Sequence, residues 1–181
     1  CILCTVLAVV LLTTCILTAY AEEKAKEILL KKDIEIRILM RMLFAKGSDI
    51  YKKLYNESLI NSTFSLDYTL QPDYGFTSLD GESKDPQKVY DTIIEELDKV
   101  RKNGLCEADY ERAKKVIWGR YVRTHNDIED LATTFMQYLF MGVDYFDYYD
   151  VYNSVTFDDI KNRFDTHFRA ENSALSVVKP L

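Results

Sequence analysis

The spacing of hydrophobic and polar positions changes several times along the chain, and each change marks an element. Between residues 22 and 46, Ile28, Leu29, Ile34, Ile36, Leu39, Met40, Leu43 and Phe44 recur mostly at three- and four-residue steps, which predicts an amphipathic helix. Gly47 ends it, and Ser48 is placed to cap a short helix through Asn56 with Ile50, Leu54 and Tyr55 inward. From Ser62 to Leu70 the period shortens to two. Phe64, Leu66, Tyr68 and Leu70 alternate with Ser65, Asp67 and Thr69, as in a strand with one buried face. Gln71-Pro72-Asp73 then turns the chain, and a second extended segment, Tyr74 to Glu82, follows closely enough to pair antiparallel with the first. Ser78 and Leu79 interrupt its alternation.

Helical spacing returns at Asp85-Pro86, where Asp can accept from free amides and Pro loses no donor that the first turn needs. Val89, Tyr90, Ile93, Ile94, Leu97 and Val100 form one stripe, closed by Gly104. A further helix over Glu107 to Arg123 would bury Tyr110, Ala113, Val116, Ile117 and Tyr121. Asn126 with Glu129 has the form of a capping box before Ile128, Leu131, Ala132, Phe135, Met136, Leu139 and Phe140, all expected to face inward. The aromatic, acidic stretch Tyr145 to Val155 reads as a short helix or ordered loop. Core packing is favoured over a partner-binding surface for its Tyr145, Phe146, Tyr148, Tyr149 and Tyr152. Thr156 with Asp159 caps a last helix to about Phe168, and Ser173 to Val178 is expected to close the domain as a strand. Strands followed by helices predict an α+β domain over residues 22–181, an antiparallel sheet covered by helices.

The segment before it has no such pattern. Residues 1–21 carry no charge, and as a helix at about 1.5 Å per residue they would cover roughly 30 Å, the depth of a bilayer core. Ala19-Tyr20-Ala21 also has the small-x-small form of a signal-peptidase site, although no basic residue precedes it. A membrane helix, a cleaved leader and a fragmentary reading frame therefore remain open. Localisation follows from that choice: membrane-associated or exported if the segment is genuine, cytoplasmic otherwise.

Charge and chemistry narrow the function mostly by exclusion. The formal net charge of -6 arises entirely after Ala21, which disfavours nucleic acid as a partner. Three of four cysteines lie in the apolar segment, so no disulfide framework is implied. His125 and His167 are the only histidines, and neither stands in a metal-ligand spacing. His125 reads as a loop residue, whereas His167 at a helix C-terminus would be favourable when charged. The scattered aspartates between Asp144 and Asp159 lack the spacing of a calcium loop. No catalytic and no metal-binding residue is assigned.

Four stretches carry a family resemblance. GSDIYKKLYNESLINSTFSLDYTLQPDYGF, KDPQKVYDTIIEELDKVRKNGLCEADYERAKKVIWGRYVR, FMQYLFMGVDYFD and SALSVVKP occur in the order found in the C-terminal domain of M16 (insulinase or processing-peptidase-like) zinc peptidases, Firmicute-type subgroup. The chain resembles that domain from about Asp33 to Pro180. The resemblance implies a clamshell of two related αβ halves. The first holds zinc through an HxxEH motif, and the second closes over an extended peptide.

This chain has no HxxEH, so the resemblance implies a non-catalytic, peptide-holding half that needs a zinc-binding N-terminal half, in cis or in trans, for proteolysis. Zinc is expected in that other half and no cofactor in this one. Family members carry an Arg and a Tyr around the segment that here reads LYNESLIN; this chain offers no Arg there, and Asn61 stands near the place of the Tyr. The strand that precedes the first helix in the family is also replaced here by the apolar segment, which would leave a sheet edge unpaired. The implied peptide contacts are Asn61, Ser62 and Phe64. The alternative is a binding or scaffold protein derived from the peptidase fold, membrane-anchored through residues 1–21, with no enzymatic activity.

Overall fold

Helix α1, residues 27–44, is the axis around which the other elements pack, because it is apolar on more than one side. The computed structural model describes residues 27–178; the apolar segment 1–21, with its expected membrane helix or leader, lies outside the described residues. Leu30, Ile34, Ile38, Leu39, Leu43 and Phe44 enter the main core, while Ile36 and Met40 turn the other way into a second, smaller cluster. Burial of α1 is so nearly complete that two of its acids, Asp33 and Glu35, are also inside. Each has a partner from a distant part of the chain. Asp33 pairs with Arg37 at 2.8 Å and accepts the Tyr138 hydroxyl at 2.8 Å, and Glu35 pairs with Arg163 at 2.7 Å. Buried carboxylates persist only with such compensation.

The remaining elements follow the sequence periods. Helix α2 (Asp49–Asn56) is capped by Ser48, whose hydroxyl accepts from the Tyr51 amide. Strands β1 (Ser65–Leu70) and β2 (Gly75–Asp80) pair antiparallel, with Leu66 opposite Leu79, Tyr68 opposite Thr77 and Leu70 opposite Gly75. That register settles the irregular alternation of β2: Thr77 and Leu79 point with Tyr68 and Leu66, leaving Phe76 outward. Gly75 sits under the Tyr68 ring, where an added Cβ would lie 2.9 Å from the phenol oxygen.

Helices α3 (Pro86–Asn103) and α4 (Glu107–Thr124) bury Ile93, Leu97, Tyr110, Ala113 and Ile117, whereas Val116 is exposed. Helix α5 (Ile128–Phe140), a 3-10 turn (Tyr145–Asp147), α6 (Tyr148–Ser154) and α7 (Phe157–His167) complete the α+β arrangement. Asp85 caps α3, and both halves of the Thr156–Asp159 capping box form at α7.

Several expectations change, among them that of Tyr55 in α2, which lies exposed rather than inward. Alternation and helical period would set Phe64, Leu66 and Tyr68 against the Ile93 and Leu97 face of α3; instead Tyr68 and Leu70 close with Ile36 and Met40 of α1, Phe64 packs on the larger core that includes Ile93 and Leu97, and Leu66 touches both clusters. Alternation identifies a strand's inner face, not the helix that covers it. The cap of α5 is Asp127 rather than Asn126, its carboxylate accepting from the amides of Glu129 and Asp130. Along α5 only Tyr138 is fully buried; Ala132, Met136 and Leu139 are exposed, and Ile128 and Phe140 are more than 80% exposed. Residues 173–178 form no strand, since among the described residues nothing pairs with them, and Leu175, Val177 and Val178 lie open.

The aromatic stretch divides by helical phase. Tyr145, Tyr148 and Tyr152 are buried, and Phe146 and Tyr149 are not.

Candidate functional site

Only one edge of β1 is used by β2, and among the described residues no strand pairs with the other. A cleft of about 600 Å³ runs along that free edge. It is lined by Phe64 and residues 65–68, by Arg37, Met40, Arg41 and Phe44 of α1, and by Ile117, Arg120, Tyr121 and Thr124 of α4. Thr134 and Tyr138 of α5, with Tyr145 and Tyr148, close one end. A strand edge that no described strand pairs with, beside a cleft, is the arrangement that accepts an extended peptide by main-chain hydrogen bonding.

The closed end is aromatic by construction. Tyr121 stacks on Tyr148 with ring centroids 4.4 Å apart, Tyr145 packs against Tyr121 and Tyr138, and the single tryptophan, Trp118, contacts Tyr121 and Tyr152. Burial raises the pKa of the Tyr138, Tyr145 and Tyr148 phenols, that of Tyr145 to about 12, so all three stay protonated.

The charges on the cleft come mainly from arginine. Arg37 is satisfied by Asp33 and lies over the Tyr68 ring. Arg41 is not: its Nε is buried without a hydrogen-bond partner, and burial together with the neighbouring Arg120 lowers its pKa.

The three residues singled out from the sequence are placed differently from one another. Phe64 lines the cleft and packs edge-on against Tyr51 at 5.9 Å. Asn61 and Ser62 are exposed at the approach to β1, outside the cleft lining. The Asn61 carboxamide oxygen accepts from the Thr63 amide and hydroxyl while its NH₂ donates to Glu82, so this side chain ties the turn that leads into the strand. Sequence reading missed Arg41 and Arg120. Their common feature, a cationic position without a counter-charge among the described residues, arises only when α1 and α4 are brought together.

Neither histidine offers a metal site. His125 Nδ1 lies 2.9 Å from the Tyr121 carbonyl and the ring packs on Tyr121 and Tyr145. His167 is not the charged helix-end residue expected. Its Nε2 meets Thr77 Oγ1 at 2.9 Å between Tyr68 and Phe168, and burial, with Lys32 and Arg163 nearby, pushes its pKa down to about 4. Among the described residues no group of three or more His, Cys, Asp or Glu is placed to hold a metal ion. The described residues do not fit a zinc centre. Among the same residues no helix is long and apolar enough to cross a membrane.

Comparison with known proteins puts the fold in context. The profile of the peptidase M16 inactive domain matches residues 21–117, more than half of the chain. The chain is 29% identical over 153 residues to an uncharacterized zinc protease, YmfH, of Bacillus subtilis (strain 168), covering 84% of this chain and 35% of that protein. The crystal structure of an M16-like peptidase from Alicyclobacillus acidocaldarius superposes with a TM-score of 0.75 at 28% identity, over 81% of this chain and 35% of that one. A zinc protease from Bordetella pertussis Tohama I shares the fold at TM-score 0.58 and 14% identity, over 78% of this chain and 81% of that one. The chain thus spans about a third of the length of the first two relatives.

Proposed function

The chain belongs to the M16 peptidase family as its inactive C-terminal domain, and from that premise we propose that it is the non-catalytic, peptide-holding half of an M16-type zinc peptidase. The observation that carries this reading is the edge of β1 that no described strand pairs with, along a cleft large enough for several residues of extended peptide. Main-chain groups of β1 supply affinity, and Phe64 supplies an apolar contact for one peptide side chain. Asn61 and Ser62 shape the mouth of that path, Asn61 by holding the turn before the strand.

Metal and water activation belong to a separate half bearing HxxEH, supplied in cis or in trans. The apolar stripe that α5 leaves in solvent, above all Ile128 and Phe140, is where we place contact with that half, since a stripe of this kind marks a partner surface.

The test is reconstitution. The chain alone is expected to cleave no peptide, and joined to or mixed with an HxxEH-bearing half it is expected to yield peptidase activity. Phe64→Ser should raise KM at unchanged assembly, and Phe140→Asp should weaken assembly itself. A correctly assembled but inactive pair would favour the scaffold reading, and an active pair indifferent to Phe64, Asn61 and Ser62 would remove this strand from the substrate path.

A further inference from the structure

Four cationic side chains line the cleft, Arg37, Arg41, Lys46 and Arg120, against one acid, Asp67, in a protein of formal net charge -6. Among the described residues only Arg37 has its counter-charge, in Asp33. Arg41, Lys46 and Arg120 make no ion pair among the described residues, although ion pairs are frequent elsewhere on the molecule. Arg41 is the most telling. Half-buried in the cleft, it leaves its Nε donor without an acceptor and lies near enough to Arg120 to be repelled by it. A desolvated, unpaired guanidinium beside a second one costs stability in the empty cleft, and such costs concentrate where a ligand relieves them.

Resting on the peptide-holding reading, we propose that Arg41 and Arg120 form a carboxylate subsite in the cleft, so that the chain prefers extended peptides carrying an acidic group in register with this pair. One carboxylate would accept from both guanidinium groups, answer the orphaned donor and neutralise the repulsion. Charge-assisted pairing of this kind is strong because guanidinium and carboxylate match in shape and charge. An acidic side chain and a free peptide C-terminus present the same chemistry, and Lys46 at the rim adds a further attraction for either.

The experiment measures the affinity of the full chain for nonapeptides of Ser, Thr and Val in which a single Glu is walked along the sequence. Each has a Gln counterpart, and all are made with free and with amidated C-termini. At the preferred position the Glu peptide is expected to bind about tenfold more tightly than its Gln counterpart, the scale of one charge-assisted contact. Arg120→Gln, on an exposed side chain, should reduce that preference, and Arg41→Gln should abolish it; Arg41→Gln should also raise the denaturation midpoint of the peptide-free chain. A preference for free over amidated C-termini that is the same for Glu and Gln peptides and is lost in Arg41→Gln assigns the subsite to a terminal carboxylate, and a preference for Glu that persists in the amides assigns it to a side chain. Equal binding of Glu and Gln peptides at every position together with equal binding of free and amidated C-termini, or a preference that survives both substitutions, overturns the carboxylate subsite while leaving the peptide cleft standing. Failure of every peptide to bind overturns both.

Discussion

Removing the Asp33 carboxylate should be among the most damaging single changes available to this fold. Asp33 is 2% exposed and joins α1 to α5: it pairs with Arg37 Nε and accepts the Tyr138 hydroxyl, each at 2.8 Å. Burial works against the Arg37 charge, yet the adjacent Asp33 more than offsets it, leaving the guanidinium pKa raised. In Asp33→Ala both partners lose their acceptor at once. Breaking one side of a buried ion pair costs about 3–5 kcal/mol. Because the Arg37 side chain is 40% exposed and can recover some hydration, the lower end, about 3 kcal/mol, is expected. Tyr138→Phe removes only one neutral donor from a charged acceptor and should cost about 1.5–3 kcal/mol. The double variant should lose less than the sum, since both single changes break the same contact. Urea denaturation followed by far-UV circular dichroism and by Trp118 fluorescence reads all three losses, Trp118 being the single tryptophan and packed on Tyr121 and Tyr152. A loss under about 1 kcal/mol for Asp33→Ala, or strict additivity, would refute a buried network bridging α1 and α5.

Two other predictions test single positions. Ser58, at φ 55, occupies the left-handed position where α2 ends, with its amide bonded to the Tyr55 carbonyl and the Leu59 amide to that of Leu54. Ser58→Gly relieves a non-glycine residue there and should raise stability by about 0.5–1 kcal/mol in the same denaturation assay; a loss would contradict the helix-end geometry. His167 has its folded pKa lowered from the usual value of 6.5 to about 4, so the unfolded chain binds the proton more readily. Its contribution is complete above pH 6.5 and is lost as pH falls from there towards about 4. His167→Gln should flatten the slope of stability with pH between 7 and 5, and an unchanged slope would place the imidazole in water.

Much of the fold was legible because its signals are local. Periodicity placed α3, α4 and β1, and Asp85-Pro86 and Thr156 with Asp159 announced their helices through caps that the structure forms. What was not legible depends on residues far apart. Asp33 and Glu35 look like solvent positions of α1, and their burial is explained only by Tyr138 and Arg163, 105 and 128 residues further on. The α5 stripe has helical spacing, but spacing reports that a face is apolar, not that this chain supplies its cover. Of the candidate site, Phe64 was identified from its family position and does line the cleft. Arg41 and Arg120 belong to separate helices that show no common pattern, so no sequence signal could have joined them.

An extended peptide lying along the edge of β1 that β2 leaves unpaired would be seen in amide hydrogen exchange of the chain with and without bound peptide. Peptide should slow exchange at residues 64–68, on the edge that β2 leaves open, with smaller changes in β2, whose pairing with β1 already exists. Bound peptide that leaves residues 64–68 exchanging at their free rates, or that protects the α5 face instead, would contradict the account.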